Sequence, residues 1–170
     1  DIGLKGLKRR MAGRPEKNVG IVLGSASDLE VAKKVTEVLE RLGVGYELAV
    51  ASAHRSPGFL KKFICEMEAS GTKVFIAGAG MAAHLAGSIA SQTVLPVIGI
   101  PIQASLLGLD SLLSTVQMPP GVPVATVAID GAANAAYLAV QILAVSNSDL
   151  RKKLLAHKQE MESSFGIITH

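Results

Sequence analysis

Short apolar runs alternate with longer helical patterns along the chain from Val19 onward. The run of residues 19–23 is apolar throughout and ends at Gly24, as is typical of a strand buried on both faces of a parallel sheet. In the segment that follows, up to Leu42, apolar residues recur at the three- and four-residue spacing of a helix. Because parallel neighbouring strands need a crossover connection, this alternation predicts right-handed βαβ units.

The same alternation continues along the chain and predicts one catalytic α/β domain over residues 19–165. Further strands are predicted at about residues 46–50, 73–77, 96–100 and 124–129. Helices are predicted up to residue 42 and at about residues 57–69, 82–92, 109–116, 132–145 and 149–163. Five such strands predict a flavodoxin-like, three-layer α/β/α fold whose five-stranded parallel sheet has the order 2-1-3-4-5.

The positive charge of the chain is concentrated at its beginning. Residues 1–18 contain six basic and two acidic side chains, a surplus of four, whereas the net charge of the whole chain is +3. The rest of the chain therefore sums to −1 and offers no polycationic face, so nucleic acid is not an expected partner. We expect residues 1–18 to form a disordered basic tail.

Cysteine content and hydropathy exclude two further classes of protein. Cys65 is the only cysteine, so neither an internal disulfide nor a cysteine-based metal motif is expected. Its helical setting predicts a buried thiol. No apolar stretch reaches the roughly 18 residues of a membrane span, and these features together predict a cytoplasmic protein with no membrane partner.

The predicted helix at residues 132–145 is apolar on nearly all sides. A helix of this kind has to be covered on more than one side, and its alanines permit a close approach. The sequence favours a second subunit as the additional cover. The alternative is burial of the helix within its own monomer.

Three loops follow the first three predicted strands and contain unusual residues. In a parallel sheet of the predicted order, ligands bind beyond the carboxyl ends of the strands, where the strand order reverses. We therefore expect the loops at residues 24–28, 52–57 and 78–87 to converge on one ligand.

The first of these loops, GSASD at residues 24–28, opens a helix with small residues and hydroxyls. Free backbone N–H groups at a helix start favour phosphate, although Ser27 or Asp28 could equally be an ordinary N-cap. The loop is neither a Walker loop nor a dinucleotide-binding GxGxxG motif, so neither ATP nor NAD is indicated.

The second and third loops contain histidines. In SAHRSP, residues 52–57, Arg55 suits phosphate and His54 can exchange a proton near neutral pH; the alternative is a helix cap with a solvated basic pair. In the third loop, glycines let the backbone approach a ligand closely, while His84 fits a structural role as well as a functional one. The sequence has no nucleophile elbow of a serine hydrolase, and the two histidines have no third metal ligand at suitable spacing.

The chain resembles the PurE family, in its class I branch. Five motifs carry the resemblance, in the family's order over about residues 19–155: GSASD, SAHRSP, GAG with AAHL, GLDSLLS and VQMPPGVPVAT. The resemblance implies an isomerase of purine biosynthesis that moves a carboxylate from the exocyclic nitrogen of an aminoimidazole ribonucleotide to a ring carbon, an N5-carboxyaminoimidazole ribonucleotide mutase. It implies no metal, ATP or organic cofactor, and a homo-octamer in which neighbouring subunits complete each site.

The resemblance also implies roles for individual residues. His54 matches the catalytic acid/base of the family, Asp28 would hold the ribose hydroxyls, and Arg55 with the serines would hold the phosphate. The implied substrate-binding positions are Ser25, Ser27, Asp28, Ser52, Arg55, Ala79, Gly80, His84 and Leu85.

The chain departs from the family pattern at two positions in the third loop. Many members have Gly where Met81 stands and Pro where Ala86 stands. Either change is expected to affect loop closure or substrate affinity, and neither removes a catalytic group.

Two other functions stay open at this point. A class II member of the family carboxylates aminoimidazole ribonucleotide directly with carbon dioxide, but that class usually has Lys after the histidine, so Arg55 favours the mutase. A non-catalytic nucleotide-binding module on the same fold would not depend on His54.

Overall fold

The computed structural model describes residues 16–166, and its core is one sheet of five parallel strands. The strands are Val19–Leu23 (β1), Tyr46–Val50 (β2), Val74–Gly80 (β3), Val97–Ile102 (β4) and Ala125–Thr126 (β5). They lie in the order β2-β1-β3-β4-β5 and every neighbouring pair is parallel. The predicted flavodoxin-like sheet is therefore confirmed.

Six α-helices lie within the described residues, close to the predicted positions. They are Leu29–Leu42 (α1), Pro57–Ala69 (α2), Leu85–Ala90 (α3), Leu109–Val116 (α4), Ala132–Ala144 (α5) and Ser148–Ser163 (α6). A single 3-10 turn, Ala26–Asp28, precedes α1. Pro57 occupies the first turn of α2, where its missing N–H removes no helical hydrogen bond.

The helices form one layer on each face of the sheet, because successive strand residues point to opposite faces. Ile21 and Ile76 belong to the apolar core that also contains buried residues of α1 and α5. Their neighbours Val22 and Phe75 belong to the core shared with α2 and α3. The predicted three-layer α/β/α arrangement is confirmed.

The fifth strand is shorter than the predicted segment 124–129. Thr126 pairs with Gly99, and the N–H of Val127 still donates to the Gly99 carbonyl at 3.1 Å. The next bond of a parallel ladder would need an N–H from Pro101, which has none. The regular pairing therefore stops after two residues.

The third helix is also shorter than the predicted segment 82–92. The N–H groups of Ala83 and His84 donate to the carbonyls of Met81 and Ala82, at 2.9 and 2.8 Å. These bonds between residues two apart make a tight turn, so helical geometry begins only at Leu85. Before this turn, β3 continues to Gly80, three residues beyond its predicted end at residue 77.

The apolar helix is covered in part by its own chain. Helix α5 packs against α1, α6, β3 and β4 of the same chain, and its alanines at 132, 135, 136 and 139 are fully buried there. A second subunit over the rest of its surface stays a prediction. One prediction about burial is wrong. Cys65, predicted to be buried, is exposed on α2, because its phase on the helix turns it away from the buried Ile64 and Met67.

The predicted tail, residues 1–18, lies mostly outside the described residues, which begin at Glu16. The carbonyl of Lys17 accepts a hydrogen bond from the Thr72 hydroxyl at 2.7 Å, and that of Asn18 accepts one from the Lys73 N–H at 2.9 Å. These two residues thus belong to the folded part of the chain. None of the described helices has the length and apolarity required to cross a membrane.

Candidate active site

A pocket of about 480 Å³ opens at the carboxyl ends of β1, β2 and β3, the edge at which the sequence predicts ligand binding. All ten residues predicted for the site line it, namely Ser25, Ser27, Asp28, Ser52, His54, Arg55, Ala79, Gly80, His84 and Leu85. The three predicted loops converge because the parallel order places the ends of these strands side by side.

The loop after β1 brings three polar side chains into one turn. Ser25 Oγ accepts a hydrogen bond from the Ser27 N–H at 3.3 Å and so caps the 3-10 turn. The Ser27 hydroxyl lies 2.9 Å from Ser25 Oγ and 3.2 Å from Asp28 Oδ1, and can donate to either. Asp28 makes no side-chain capping bond to α1, so its carboxylate is available to a ligand.

The loop after β2 is held in shape by its own serines. The Ser56 hydroxyl accepts from the Ser52 N–H at 2.9 Å, and Ser52 Oγ accepts from the Arg55 N–H at 3.1 Å. His54 and Arg55 are both exposed and both line the pocket. Arg55 also lines a neighbouring cavity of about 450 Å³, together with Ser25, Ser52 and Ser56.

The loop after β3 begins where the ends of β3 and β4 lie close together. A Cβ on Gly80 would lie 3.1 Å from the Cβ of Ala104 and 3.2 Å from the carbonyl oxygen of Ile102. Any larger residue at this position would crowd the end of β4. Met81, which follows, has φ of 56°, in the left-handed region that residues with a side chain rarely adopt. Ala86, the other departure from the family pattern, is buried in α3.

The two pocket histidines are in direct contact. Nε2 of His54 lies 2.8 Å from Nδ1 of His84, and the rings meet edge to face with their centroids 4.9 Å apart. In a neutral pair one of these nitrogens donates and the other accepts, so the bond fixes the orientation and tautomer of both rings together. His84, which the sequence left between a structural and a functional role, is thus part of the pocket.

The pocket contains one guanidinium and one carboxylate, those of Arg55 and Asp28. Neither forms a salt bridge with any residue between 16 and 166. The guanidinium can therefore bind a phosphate through two N–H groups, and the carboxylate can accept hydrogen bonds from hydroxyls. Over the described part of the chain, no cluster of three His, Cys, Asp or Glu side chains is placed to hold a metal ion.

Five lining residues were not predicted as binding residues: Gly24, Ala53, Met81, Ala82 and Ala104. Four of them lie within the three loops already considered. Ala104 belongs to the loop after β4, and a single alanine after a strand gives no sequence signal of a site. Ala104 reaches the pocket because β4 pairs with β3 up to Gly80, and the chain that follows β4 passes close to this glycine.

The sequence is similar to that of a known protein family. The sequence model of the AIR carboxylase family matches residues 18–164. The chain is 53% identical over 145 residues to the N5-carboxyaminoimidazole ribonucleotide mutase of Pyrococcus abyssi, covering 85% of this chain and 83% of that protein. It is 48% identical over 147 residues to the chloroplastic phosphoribosylaminoimidazole carboxylase of Vigna aconitifolia, covering 86% of this chain and 26% of that protein.

The fold is also found among solved structures. The crystal structure of Treponema denticola PurE aligns with a TM-score of 0.80 at 25% sequence identity, over 86% of this chain and 92% of that chain. The family match spans most of the chain, and the relative from Pyrococcus abyssi shares half of the aligned residues. The protein belongs to the PurE family, the family of AIR carboxylases.

Proposed function

We propose that the protein is an N5-carboxyaminoimidazole ribonucleotide mutase of purine biosynthesis, acting through a single catalytic domain at residues 19–165. The observation that carries the proposal is that His54, Arg55 and Asp28 line one pocket, with neither charged side chain in a salt bridge within residues 16–166. The name of the 53% identical relative from Pyrococcus abyssi supports the choice of reaction.

A single imidazole, that of His54, can serve both proton transfers of the proposed reaction. The N–C bond of the substrate carbamate breaks, the exocyclic nitrogen takes up a proton, and carbon dioxide is released into the pocket. The ring carbon then bonds to carbon dioxide and loses its own proton. One proton is given and one is taken, so His54 can serve both steps without a net change, as general acid/base catalysis requires.

The other predicted residues are proposed to hold the substrate. Asp28 would accept hydrogen bonds from the ribose hydroxyls, and Arg55 with Ser25, Ser27 and Ser52 would bind the phosphate. The four remaining positions, Ala79, Gly80, His84 and Leu85, would contact the base. The glycine allows the ligand to approach the backbone, and the edge-to-face contact suggests that His84 also orients the ring of His54.

Isomerisation of the carbamate by the wild type and by His54→Asn tests the proposed chemistry. Formation of the ring carboxylate is followed directly, and binding of the product is measured in parallel. We expect the substitution to lower turnover by about 10²–10⁴-fold while the variant still binds product. Turnover by His54→Asn at the wild-type rate would remove His54 from the chemistry.

Binding of aminoimidazole ribonucleotide and of its dephosphorylated nucleoside tests the role of Arg55. A hydrogen bond to a charged group contributes about 1.5–3 kcal/mol, so Arg55→Ala should weaken ribonucleotide binding about 10- to 100-fold. Nucleoside binding should be unchanged. Lys61→Ala is the matched control, because Lys61 is an exposed cation of α2 that does not line the pocket. An equal effect of both substitutions would assign the loss to general charge.

Direct carboxylation of aminoimidazole ribonucleotide is the second candidate. The family model and the relative from Vigna aconitifolia are both named for a carboxylase. Supplying aminoimidazole ribonucleotide with bicarbonate, and the carbamate in a separate assay, distinguishes the two reactions. Turnover of the first without the second would replace the mutase. Turnover of neither, with retained binding, would indicate a non-catalytic nucleotide-binding module.

We further propose a homo-octamer, in the cytoplasm. An exposed apolar stripe supports self-association; it consists of Leu106, Leu107, Leu109, Leu113 and Val116, which are between 48% and 77% exposed. Contiguous apolar surface of this kind is typical of protein interfaces. The stripe begins beside Ala104, so a subunit seated on it would adjoin the pocket. Light scattering measures the subunit number. The single cysteine supports a reducing compartment.

A further inference from the structure

Asp130, in the segment between β5 and α5, binds the end of β4 from two sides. Its Oδ1 accepts a hydrogen bond from the N–H of Gln103 at 3.0 Å, and its own N–H donates to the carbonyl of Pro101 at 2.9 Å. Its φ of 56° is in the left-handed region, which Asp and Asn tolerate better than most residues with a side chain. One residue thus holds the backbone on both sides of Ile102, where β4 ends.

The loop that begins at Gln103 supplies one wall of the pocket. Ala104, the next residue, lines the pocket, and its Cβ would lie 3.1 Å from a Cβ built on Gly80. An alanine has no side-chain rotamers, so the backbone alone determines where this methyl group lies. The hydrogen bond from Gln103 to Asp130 therefore acts on the residue next to the wall.

Backbone strain is concentrated around the same loop. Of the four non-glycine residues with positive φ between residues 16 and 166, three lie in this loop or hold it: Leu106, Leu107 and Asp130. Such strain persists only where surrounding contacts maintain it. The far end of the loop is held as well, since a Cβ on Gly108 would lie 2.7 Å from Cγ2 of Ile129. The segment after β5 therefore fixes the loop at both ends.

We propose that Asp130 is a positioning residue, whose side chain holds Ala104 against Gly80 and so keeps the pocket in its substrate-binding shape. This inference rests on the proposed mutase function. Asp130 does not line the pocket, so it acts through the loop. Without its hydrogen bond only a fraction of the molecules has the wall in place, and the apparent dissociation constant rises by the inverse of that fraction. Asp130 is exposed, so the bond competes with water and its loss should weaken binding about two- to fivefold.

Carbamate turnover by variants of Asp130 tests this role. Asp130→Asn keeps an acceptor oxygen and suits the left-handed backbone, whereas Asp130→Gly suits the backbone but removes the acceptor. We expect KM to rise about two- to fivefold in Asp130→Gly and to stay at the wild-type value in Asp130→Asn. The bound substrate holds the wall in place, so kcat should be unchanged in both. A loss of stability alone would instead lower the amount of active enzyme and leave KM unchanged.

Asn147→Ala is the matched control. It removes another exposed side-chain acceptor of backbone N–H groups, at the start of α6 and outside the pocket, and should leave KM unchanged. Wild-type KM in Asp130→Gly overturns the inference. An equal rise in Asp130→Asn or in Asn147→Ala overturns it as well, because lost charge or general destabilisation would then explain the effect.

Hydrogen exchange of the Gln103 amide separates this inference from the proposed function. In the unliganded protein the amide should exchange faster in Asp130→Gly than in the wild type and in Asp130→Asn, because its acceptor is lost. Equal exchange in all three overturns the inference whatever the turnover. Failure of the wild type to form any product would refute the proposed function, and exchange would then test the hold of Asp130 on the loop by itself.

Discussion

Replacing His84 tests whether the second histidine of the pocket orients the first. Its Nδ1 lies 2.8 Å from Nε2 of His54, a distance that allows one hydrogen bond. Both rings are exposed, so the bond competes with water and should contribute about 0.5–1 kcal/mol, the lower part of the usual range. If this amount is lost in the transition state, kcat falls about two- to fivefold. Loss of the proton carrier itself would lower kcat about 10²–10⁴-fold.

Two substitutions separate orientation from proton transfer. His84→Ala removes the hydrogen bond, whereas His84→Asn places an amide near the position of Nδ1 and can keep it. We expect kcat to fall about two- to fivefold in His84→Ala, because one exposed hydrogen bond is lost, and to recover in His84→Asn. A fall as large as that in His54→Asn would refute the orienting role, because His84 would then transfer the proton. Unchanged kcat in His84→Ala would refute it as well.

Three further predictions concern stability. Gly99→Ala should destabilise the fold by about 1–3 kcal/mol in urea unfolding, because the added Cβ would lie 2.4 Å from Cγ2 of Thr115. Gly58→Ala, which meets nothing within 4 Å in helix α2, should stabilise it by roughly 0.5–1 kcal/mol; equal effects would contradict the packing argument. A hydrogen bond to Glu40 and burial raise the pKa of Tyr46. The neutral phenol therefore stabilises the folded state below pH ~10, and this contribution is lost as the pH rises through the raised pKa of the folded state. Tyr46→Phe should remove this loss from the pH dependence of unfolding, and an unchanged alkaline slope would contradict it.

Some helices and strands begin and end at residues that lie within them or next to them in the sequence. The sequence predicts the bounds of these elements correctly. Helix α2 is observed over Pro57–Ala69, the predicted residues. The prediction is correct because Pro57 marks the start of the helix and the spacing of its apolar residues is visible in the sequence. Strand β5 depends on a partner far along the chain: its ladder ends where Pro101 lacks an N–H. Periodicity within residues 124–129 contains no information about Pro101.

The same distinction separates what was predicted of the site from what was not. Ten residues on three loops meet in one pocket because the strand order alone brings the loops together. Two features of the pocket depend on distances of a few ångströms between residues that are 20–30 positions apart in the sequence. They are the contact between His54 and His84, and the approach of Ala104 to Gly80. Side-chain rotamers and strand approach determine such distances, and single-sequence patterns do not record them.

Two adjacent residues of the loop after β3 differ in the physical constraint that acts on them. At Gly80 the constraint is space, since a Cβ would press on the end of β4. At Met81 there is space, because the side chain is 60% exposed, but the left-handed backbone disfavours any side chain by about 1–2 kcal/mol. Selection for stability alone would hold glycine at both positions. The packing of the fold therefore does not explain the methionine at the second position, which lines the pocket.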